Sequence, residues 1–353
     1  MADALGNPHA ERFARQTALA ELGGGGQAGL ARSHALVVGC GALGGSAAQW
    51  LARAGVGRLT LIDRDVVEVS NLPRQVLFSD ADARAGRPKA VAAADALRAA
   101  APEDTTLEPV VAHADHRLLT RLFGRDRDRP GVIVDGTDNF QTRYLLNDAA
   151  VRWRTPYVYA GVVGGRGTGW TVLPGRTACV RCMAPEPPAG AGVETCETVG
   201  VFGPAVGVTA SWQAGEALLV LAGRAELAGR GLLDADVFAG RVRTLAAPGS
   251  DPGCPCCGEG VFEWLDGSRS APAVELCGSD AVQLVPPAGQ RTDLGAVARA
   301  LGPGARSTEH LVRSELAEPV GAELTVFADG RAVVRGVGDA DRARAVVSRY
   351  LGW

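Results

Sequence analysis

The run Ala35 to Val38 is short and wholly apolar; a glycine turn and a small-residue stretch ending at Gly55 follow it, and a second apolar run, "RLTLID", closes on Asp63. Two continuous apolar runs too short for helices, separated by one helical stretch, predict the opening of a β-α-β unit. The pattern continues with a helix at 88–101 and a third strand at 131–135 within "GVIVDGTDN". Strand and helix alternating in this order predict a Rossmann-like, doubly wound, mostly parallel α/β sheet covered on both faces. Ahead of it, residues 8–20 read as a helix carrying "RFARQ", and the run Gly23–Gly26 reads as a flexible connector.

From residue 156 the pattern changes. "PYVYAGVVGGRGTGWTVLP" reads as strands joined by glycine turns, so antiparallel strands should continue the sheet. A Pro/Gly-rich loop, "APEPPAGAGVETCETVG", then leads into a helix at about 204–222 that stops at Gly223. Past "GCPCCGEG" a fresh segment begins near 270: strands at "AVELC" and "AVQLV", a helix at "DLGAVARAL", a hairpin at "TVFADGRAVVRG" and a final helix at 339–351. The expected organisation is a main domain over 1–268 and a small α/β C-terminal module over 270–353.

Composition narrows the function classes. A chain of 353 residues with 46% hydrophobic residues can bury a sizeable core. Its formal net charge of −3 supplies no global basic field, so neither nucleic-acid nor membrane binding is expected. The charged N-terminus lacks a signal-peptide core and no stretch approaches membrane-spanning length, so the expected location is cytoplasmic. There the 8 cysteines would be reduced, and their spacing matters more than their number. Of the 36 cationic Lys and Arg side chains all but one are arginine; the exception is Lys89.

Candidate chemistry clusters around the first strands. "GCGALG", Gly39 to Gly44, fits G-x-G-x-x-G between a strand and a helix, so that Gly39, Gly41 and Gly44 let backbone N–H groups approach a phosphate. Asp63 closes the next strand, where such folds place a ribose-binding carboxylate. On these residues alone a NAD-dependent oxidoreductase stands equally well. Asn71, Arg74 and Lys89 favour a triphosphate instead, since they lie on loops opening toward the same strand ends. Lys89 follows Pro88 at a helix start, where an ammonium faces the positive end of the dipole unless an anion intervenes. The helix end reads as exposed, so replacing Lys89 should leave the fold intact. Asp135 and Asp138 of "DGTDN" close the third strand, a placement that suits Mg²⁺ held by carboxylate and phosphate oxygens.

Cys179-x-x-Cys182 and Cys254-x-x-Cys257 are two hooks with the spacing of a structural Zn²⁺ site; Cys256 lies inside the second and competes with Cys257 as ligand. A redox dithiol is the alternative. Cys196 stands alone in the Pro/Gly-rich loop beside Glu194 and Glu197, which would raise its pKa. Cys40 and Cys277 read as small buried hydrophobes, His113 and His116 as surface residues.

"RFARQ", "GCGALG", "LIDRD", "NLPRQ", "GRPKA", "DGTDN", "CVRC", "VGVFGPAVG" and "GCPCCG" follow one another over residues 8–262 in an order that resembles the MoeB/ThiF adenylyltransferases, bacterial relatives of ubiquitin-activating enzymes. The resemblance implies Mg-ATP-dependent adenylation of the C-terminal Gly-Gly carboxylate of a ubiquitin-like sulfur-carrier protein, then conversion to a thiocarboxylate. It implies that Asp63 holds the ribose with Asp65 close by, that Asn71, Arg74 and Lys89 contact the phosphates, and that Asp138 binds Mg²⁺. It further implies a homodimer in which Arg15 reaches the partner subunit's site. It matches Cys196 to a loop cysteine that in some members links covalently to the carrier. Ala42 stands where the family usually has another glycine. Residues 270–353 are too few for a rhodanese domain, so a separate sulfur donor, a cysteine desulfurase or a rhodanese-type protein, is expected. A catalytically silent scaffold that binds a ubiquitin-like protein is the remaining alternative, and the intact Arg74, Lys89 and Asp138 set argues against it.

Overall fold

The computed structural model describes residues 8–124, 128–188, 198–269, 273–276, 281–285 and 292–352. The chain divides into two compact units, Met1–Ser268 and Arg269–Trp353.

In the first unit, β1 (His34–Val38), β2 (Arg58–Asp63), β3 (Thr106–Val111), β4 (Val132–Asp135), β5 (Tyr157–Val163), β6 (Arg166–Val172), β7 (Leu232–Asp236) and β8 (Arg241–Leu245) form one eight-stranded sheet in the order β3-β2-β1-β4-β5-β6-β7-β8. The pairings from β3 to β5 are parallel and those from β5 to β8 antiparallel. The helices are α1 (Pro8–Arg12), α2 (Ala14–Thr17), α3 (Gly23–Ala31), α4 (Ala42–Arg53), α5 (Asp80–Ala85), α6 (Lys89–Arg98), α7 (His116–Phe123), α8 (Phe140–Trp153), α9 (Val180–Met183) and α10 (Gly203–Leu221).

The period of two along each strand splits its side chains between two cores. Ala35, Val37, Leu59, Leu61 and Val134 face α3, α4, α6 and α10, while Leu36, Val38, Ile62 and Ile133 face α7 and α8. Both faces are thus covered, and the loops after β1, β2 and β4 meet at one end of the sheet. No helix among the described residues is long and apolar enough to cross a membrane.

The fold class agrees with the expectation, and several local readings do not. Gly23–Gly26 is no connector but the first turn of α3; a Cβ at Gly29 would sit 3.3 Å from Leu221 O, so close packing against the end of α10 favours glycine there despite its poor helix propensity, whereas Gly23, Gly24 and Gly25 face open space. The expected helix at 8–20 is two short helices, α1 and α2, with Phe13 between them. β3 was not anticipated. Pro88 is the N-cap of α6 rather than its first residue, which is Lys89.

The second unit holds a six-stranded antiparallel sheet of β9 (Ala273–Leu276), β10 (Ala281–Leu284), β11 (Arg306–Ser307), β12 (Leu311–Glu315), β13 (Glu323–Phe327) and β14 (Ala332–Arg335), in the order β11-β12-β13-β14-β10-β9. Val282, Val312, Leu324, Val326 and Val334 pack with Val297 of α11 (Leu294–Leu301) and Val346 and Val347 of α12 (Ala340–Leu351).

Candidate active site and cysteine centre

At the C-terminal ends of β1, β2 and β4 lies an open cleft lined by Gly39, Gly41, Asp63, Asp65, Arg74, Lys89 and Asp138 among others. Gly39 turns the chain out of β1 with φ of +86°, and a Cβ on Gly44 would lie 1.8 Å from Gly39 O. Both positions therefore need glycine, the first for a left-handed turn and the second for the close approach of α4 to that turn. Gly44 packs the motif together and does not line the cleft; Gly41 caps α4 and does.

Asp63 is buried, and its carboxylate already accepts two backbone hydrogen bonds, from Cys40 N at 2.6 Å and Asp65 N at 2.8 Å. Burial pushes its carboxyl above the ordinary range, against the pull of Lys89. The Lys89 ammonium lies 3.2 Å from Asp65 Oδ2 and is nearly enclosed, its side chain 11% exposed. Burial works against that charge, but Asp65, Asp63 and Asp138 outweigh it and hold the pKa above that of a free lysine. The protein's own carboxylates thus supply an anion beside this ammonium. The exposed helix end read from the sequence is corrected: Lys89 is buried, and the chain after β2 pairs with the start of α6 through Lys89 N to Asp65 O at 2.9 Å and Val67 N to Arg87 O at 2.8 Å.

The other expected residues separate. Arg74 lines the cleft, with one guanidinium nitrogen donating to Ser70 O at 2.9 Å. Asn71 is buried, accepts from Glu68 N at 3.1 Å in a capping box and does not line the cleft. Asp138 lines the cleft and is exposed, its contact being the Asn139 amide at 3.5 Å. Asp135 is buried and spoken for: it accepts from Thr137 N, Thr137 Oγ1 and Tyr157 OH, the last at 2.6 Å. Arg15 is exposed on α2, makes no ion pair among the described residues and does not line this cleft. Cys196 lies outside the described residues, as does Cys277. Cys40 is buried, as expected.

Three contributors were missed. Arg143, from the first turns of α8, lines the cleft, donates to Thr137 O at 2.8 Å and Tyr159 OH at 2.9 Å, and stands 3.7 Å from Asp135. Burial opposes its charge, but Tyr159, Asp135 and Tyr157 keep it firmly cationic. Gln75 lines the wall beside Gly41. His113, read as a surface residue, is half-buried in the lining and 3.4 Å from Arg64. Gln75 and His113 lie outside helices and strands and carry no periodic signal, and an arginine inside a helix reads as a solvated position until its neighbours are placed.

Away from the cleft, the sulfurs of Cys179, Cys182, Cys254 and Cys257 all lie within 4.8 Å of one another. Individual separations are 3.6 Å for Cys179 to Cys254, 3.8 Å for Cys179 to Cys182 and 3.3 Å for Cys182 to Cys257. Four sulfurs ~2.3 Å from a tetrahedral Zn²⁺ would stand ~3.8 Å apart, so the quartet fits that ion. Cys256 itself is outside the quartet: it donates to Asp148 Oδ1 at 3.3 Å. The four sulfurs at ligand spacing thus include Cys257 and not Cys256.

Residues 13–256 match the ThiF family. The chain is 35% identical over 345 residues to the sulfur carrier protein ThiS adenylyltransferase of Bacillus subtilis, covering 97% of this chain and 99% of the relative. It is 38% identical over 257 residues to the SAMP-activating enzyme E1 of Haloferax volcanii, covering 72% and 92%. Among solved structures it resembles E. coli MccB with MccA-N7isoASN, with a TM-score of 0.60 at 23% identity over 70% of this chain and 75% of that one, a likeness of fold. The glycine turn, the cleft cations and the near-complete match to an adenylyltransferase lead to one assignment: the chain belongs to the MoeB/ThiF family of ATP-using, E1-like adenylyltransferases.

Proposed function

We propose that the first unit binds ATP in this cleft and transfers its adenylyl group to the C-terminal carboxylate of a small ubiquitin-like sulfur carrier ending in Gly-Gly. The observation that carries the reading is the convergence of four cations, Arg64, Arg74, Lys89 and Arg143, with the exposed carboxylate of Asp138 around the glycine turn, in a chain of this family. A dinucleotide oxidoreductase needs no such cluster at its ribose side, whereas a triphosphate does.

The N-terminus of α4 and the turn at Gly39–Gly41 offer backbone N–H groups to phosphate, and Asp63 is fixed where a ribose hydroxyl would donate to it. The carrier's carboxylate is ionised at neutral pH and needs no general base. Its oxygen attacks the α-phosphorus, the bond from that phosphorus to the bridging oxygen breaks, and pyrophosphate leaves with the electron pair. The chain's part is to align these groups and to neutralise the charge gathering on the leaving group, through Lys89, Arg74 and Arg143. Asp138, free of ion pairs among the described residues, fits a ligand of Mg²⁺, which would supply further neutralisation of phosphate charge. The cysteine quartet would hold Zn²⁺ with no open position, a structural role.

In this reading the protein works as a homodimer, with Arg15 completing the partner subunit's cleft. A separate protein supplies the sulfur that turns the adenylate into a thiocarboxylate, and Cys196 acts only after adenylation. The test is exchange of labelled pyrophosphate into ATP, which should require a carrier; exchange without a carrier, or none with one, overturns the proposal.

A further inference from the structure

Two polar side chains in the middle of α8, Asn147 and Asp148, are fully buried, a costly place for an amide and a carboxylate. Their partners explain them. Asn147 Oδ1 accepts from Val180 N at 2.7 Å, the residue after Cys179, and Asn147 Nδ2 donates to Cys256 Sγ at 3.3 Å, the residue before Cys257. Asp148 accepts from the Cys256 thiol at 3.3 Å through one oxygen and from Trp264 N at 3.0 Å through the other. One asparagine thus touches both cysteine hooks, which lie 75 residues apart in sequence. The same helix carries Arg143 one turn earlier, ~6 Å along its axis, with its guanidinium in the cleft wall.

We propose that Asn147, Asp148 and Cys256 form a brace that sets the four sulfurs at ligand spacing, and that α8 thereby makes the cysteine centre the far anchor of Arg143 in the nucleotide cleft. Cys256 is then a positioning residue and not a ligand. Groups in the layer behind metal ligands typically govern affinity by ~10–100-fold, and the brace occupies that layer on both hooks at once. The anchoring half rests on the reading of the cleft as an ATP site; the bracing half does not.

The first test is competition for Zn²⁺ between the full-length protein and a chromogenic chelator, without nucleotide. Asn147→Leu and Cys256→Ala should each bind Zn²⁺ ~10–100-fold more weakly than the parent. Cys256→Ser, whose hydroxyl can still accept from Asn147 and donate to Asp148, should stay within about threefold of it. If Asn147→Leu does not fold, the Cys256 pair decides alone. Parental affinity in Cys256→Ala removes the brace, and a serine variant as weak as the alanine one makes Cys256 a ligand; either result overturns the proposal.

The second test measures binding of a non-hydrolysable ATP analogue with and without Zn²⁺. Metal removal should weaken it ~5–10-fold in the parent and leave it unchanged in Arg143→Ala, since a coupling carried by Arg143 disappears with that side chain. An equal metal effect in both proteins overturns the anchoring. A parent that binds no analogue under any condition overturns the ATP reading and leaves the Zn²⁺ competition to stand or fall by itself.

Discussion

Replacing Lys89 by methionine keeps an unbranched stem in the enclosed space and removes the ammonium. That charge stands 3.2 Å from an Asp65 oxygen. At this separation Coulomb's law gives ~5 kcal/mol for an effective dielectric of 20 and ~1.3 kcal/mol for that of water. Asp65 is 41% exposed and can be resolvated, which favours the lower part of the range, but buried Asp63 also loses its counter-charge. The expected loss of stability is ~1–3 kcal/mol, below the ~3–5 kcal/mol of stripping one partner from a fully buried pair. The catalytic loss should be larger in its own terms, ~10²–10³ in rate, as for other preorganised groups aimed at developing charge. Lys89→Arg restores the charge but forces a wider head between two carboxylates, at ~1–3 kcal/mol of overpacking, and should recover little exchange. Urea midpoints and carrier-dependent pyrophosphate exchange, measured on the same preparations, separate the two effects. Full exchange in a folded Lys89→Met protein would refute the reasoning, since Arg64, the other cation beside Asp65, stands farther off at 3.7 Å.

Arg15→Ala and Asp138→Ala should each be nearly inactive alone, while refolding equal amounts together should restore about a quarter of the sites through mixed dimers; no recovery in verified mixed dimers removes the shared site. Cys254→Ser should lower bound Zn²⁺ from about one per chain and lower the melting temperature, and a variant that loses exchange while retaining Zn²⁺ would favour redox thiols. His34, bonded to Thr60 Oγ1 at 2.8 Å and near Arg58, Glu108 and Asp128, is held by burial and then by Arg58 below the ordinary 6.5. The fold prefers the neutral ring, so its contribution to stability is complete above 6.5 and is lost as pH falls through the lower folded value. The urea midpoint should therefore drop as pH falls below 6.5, and His34→Gln should flatten that drop; an unchanged slope contradicts the assignment.

The glycine turn and Asp63 were legible because they depend on adjacent residues: a strand, a turn that only glycine can make, and the next strand's end. The cysteine quartet was legible as two hooks, but Cys256 could not be separated from Cys257 until Asn147 and Asp148 of a distant helix came to lie beside it. β3 escaped because Glu108 and Pro109 interrupt its apolar pattern; it is the edge strand of the sheet, where proline is tolerated. α3 escaped because a run of four glycines has poor helix propensity, and only Gly29, packed close to Leu221 O, has a contact that favours glycine. Arg143 and the burial of Lys89 escaped for one shared reason. Each is a charged residue near a helix start, and only the fold reveals that carboxylates or tyrosines from other strands enclose it.

The central claim is adenylation of a carrier's C-terminal carboxylate, and intact-mass analysis of the carrier tests it most directly. With ATP and the ThiS carrier of Bacillus subtilis as probe, the parent protein should yield a carrier heavier by one adenylyl group, and a carrier lacking its terminal glycine should stay unmodified. ATP consumed with no adenylyl group on the intact carrier, or equal modification of the shortened one, would contradict the account.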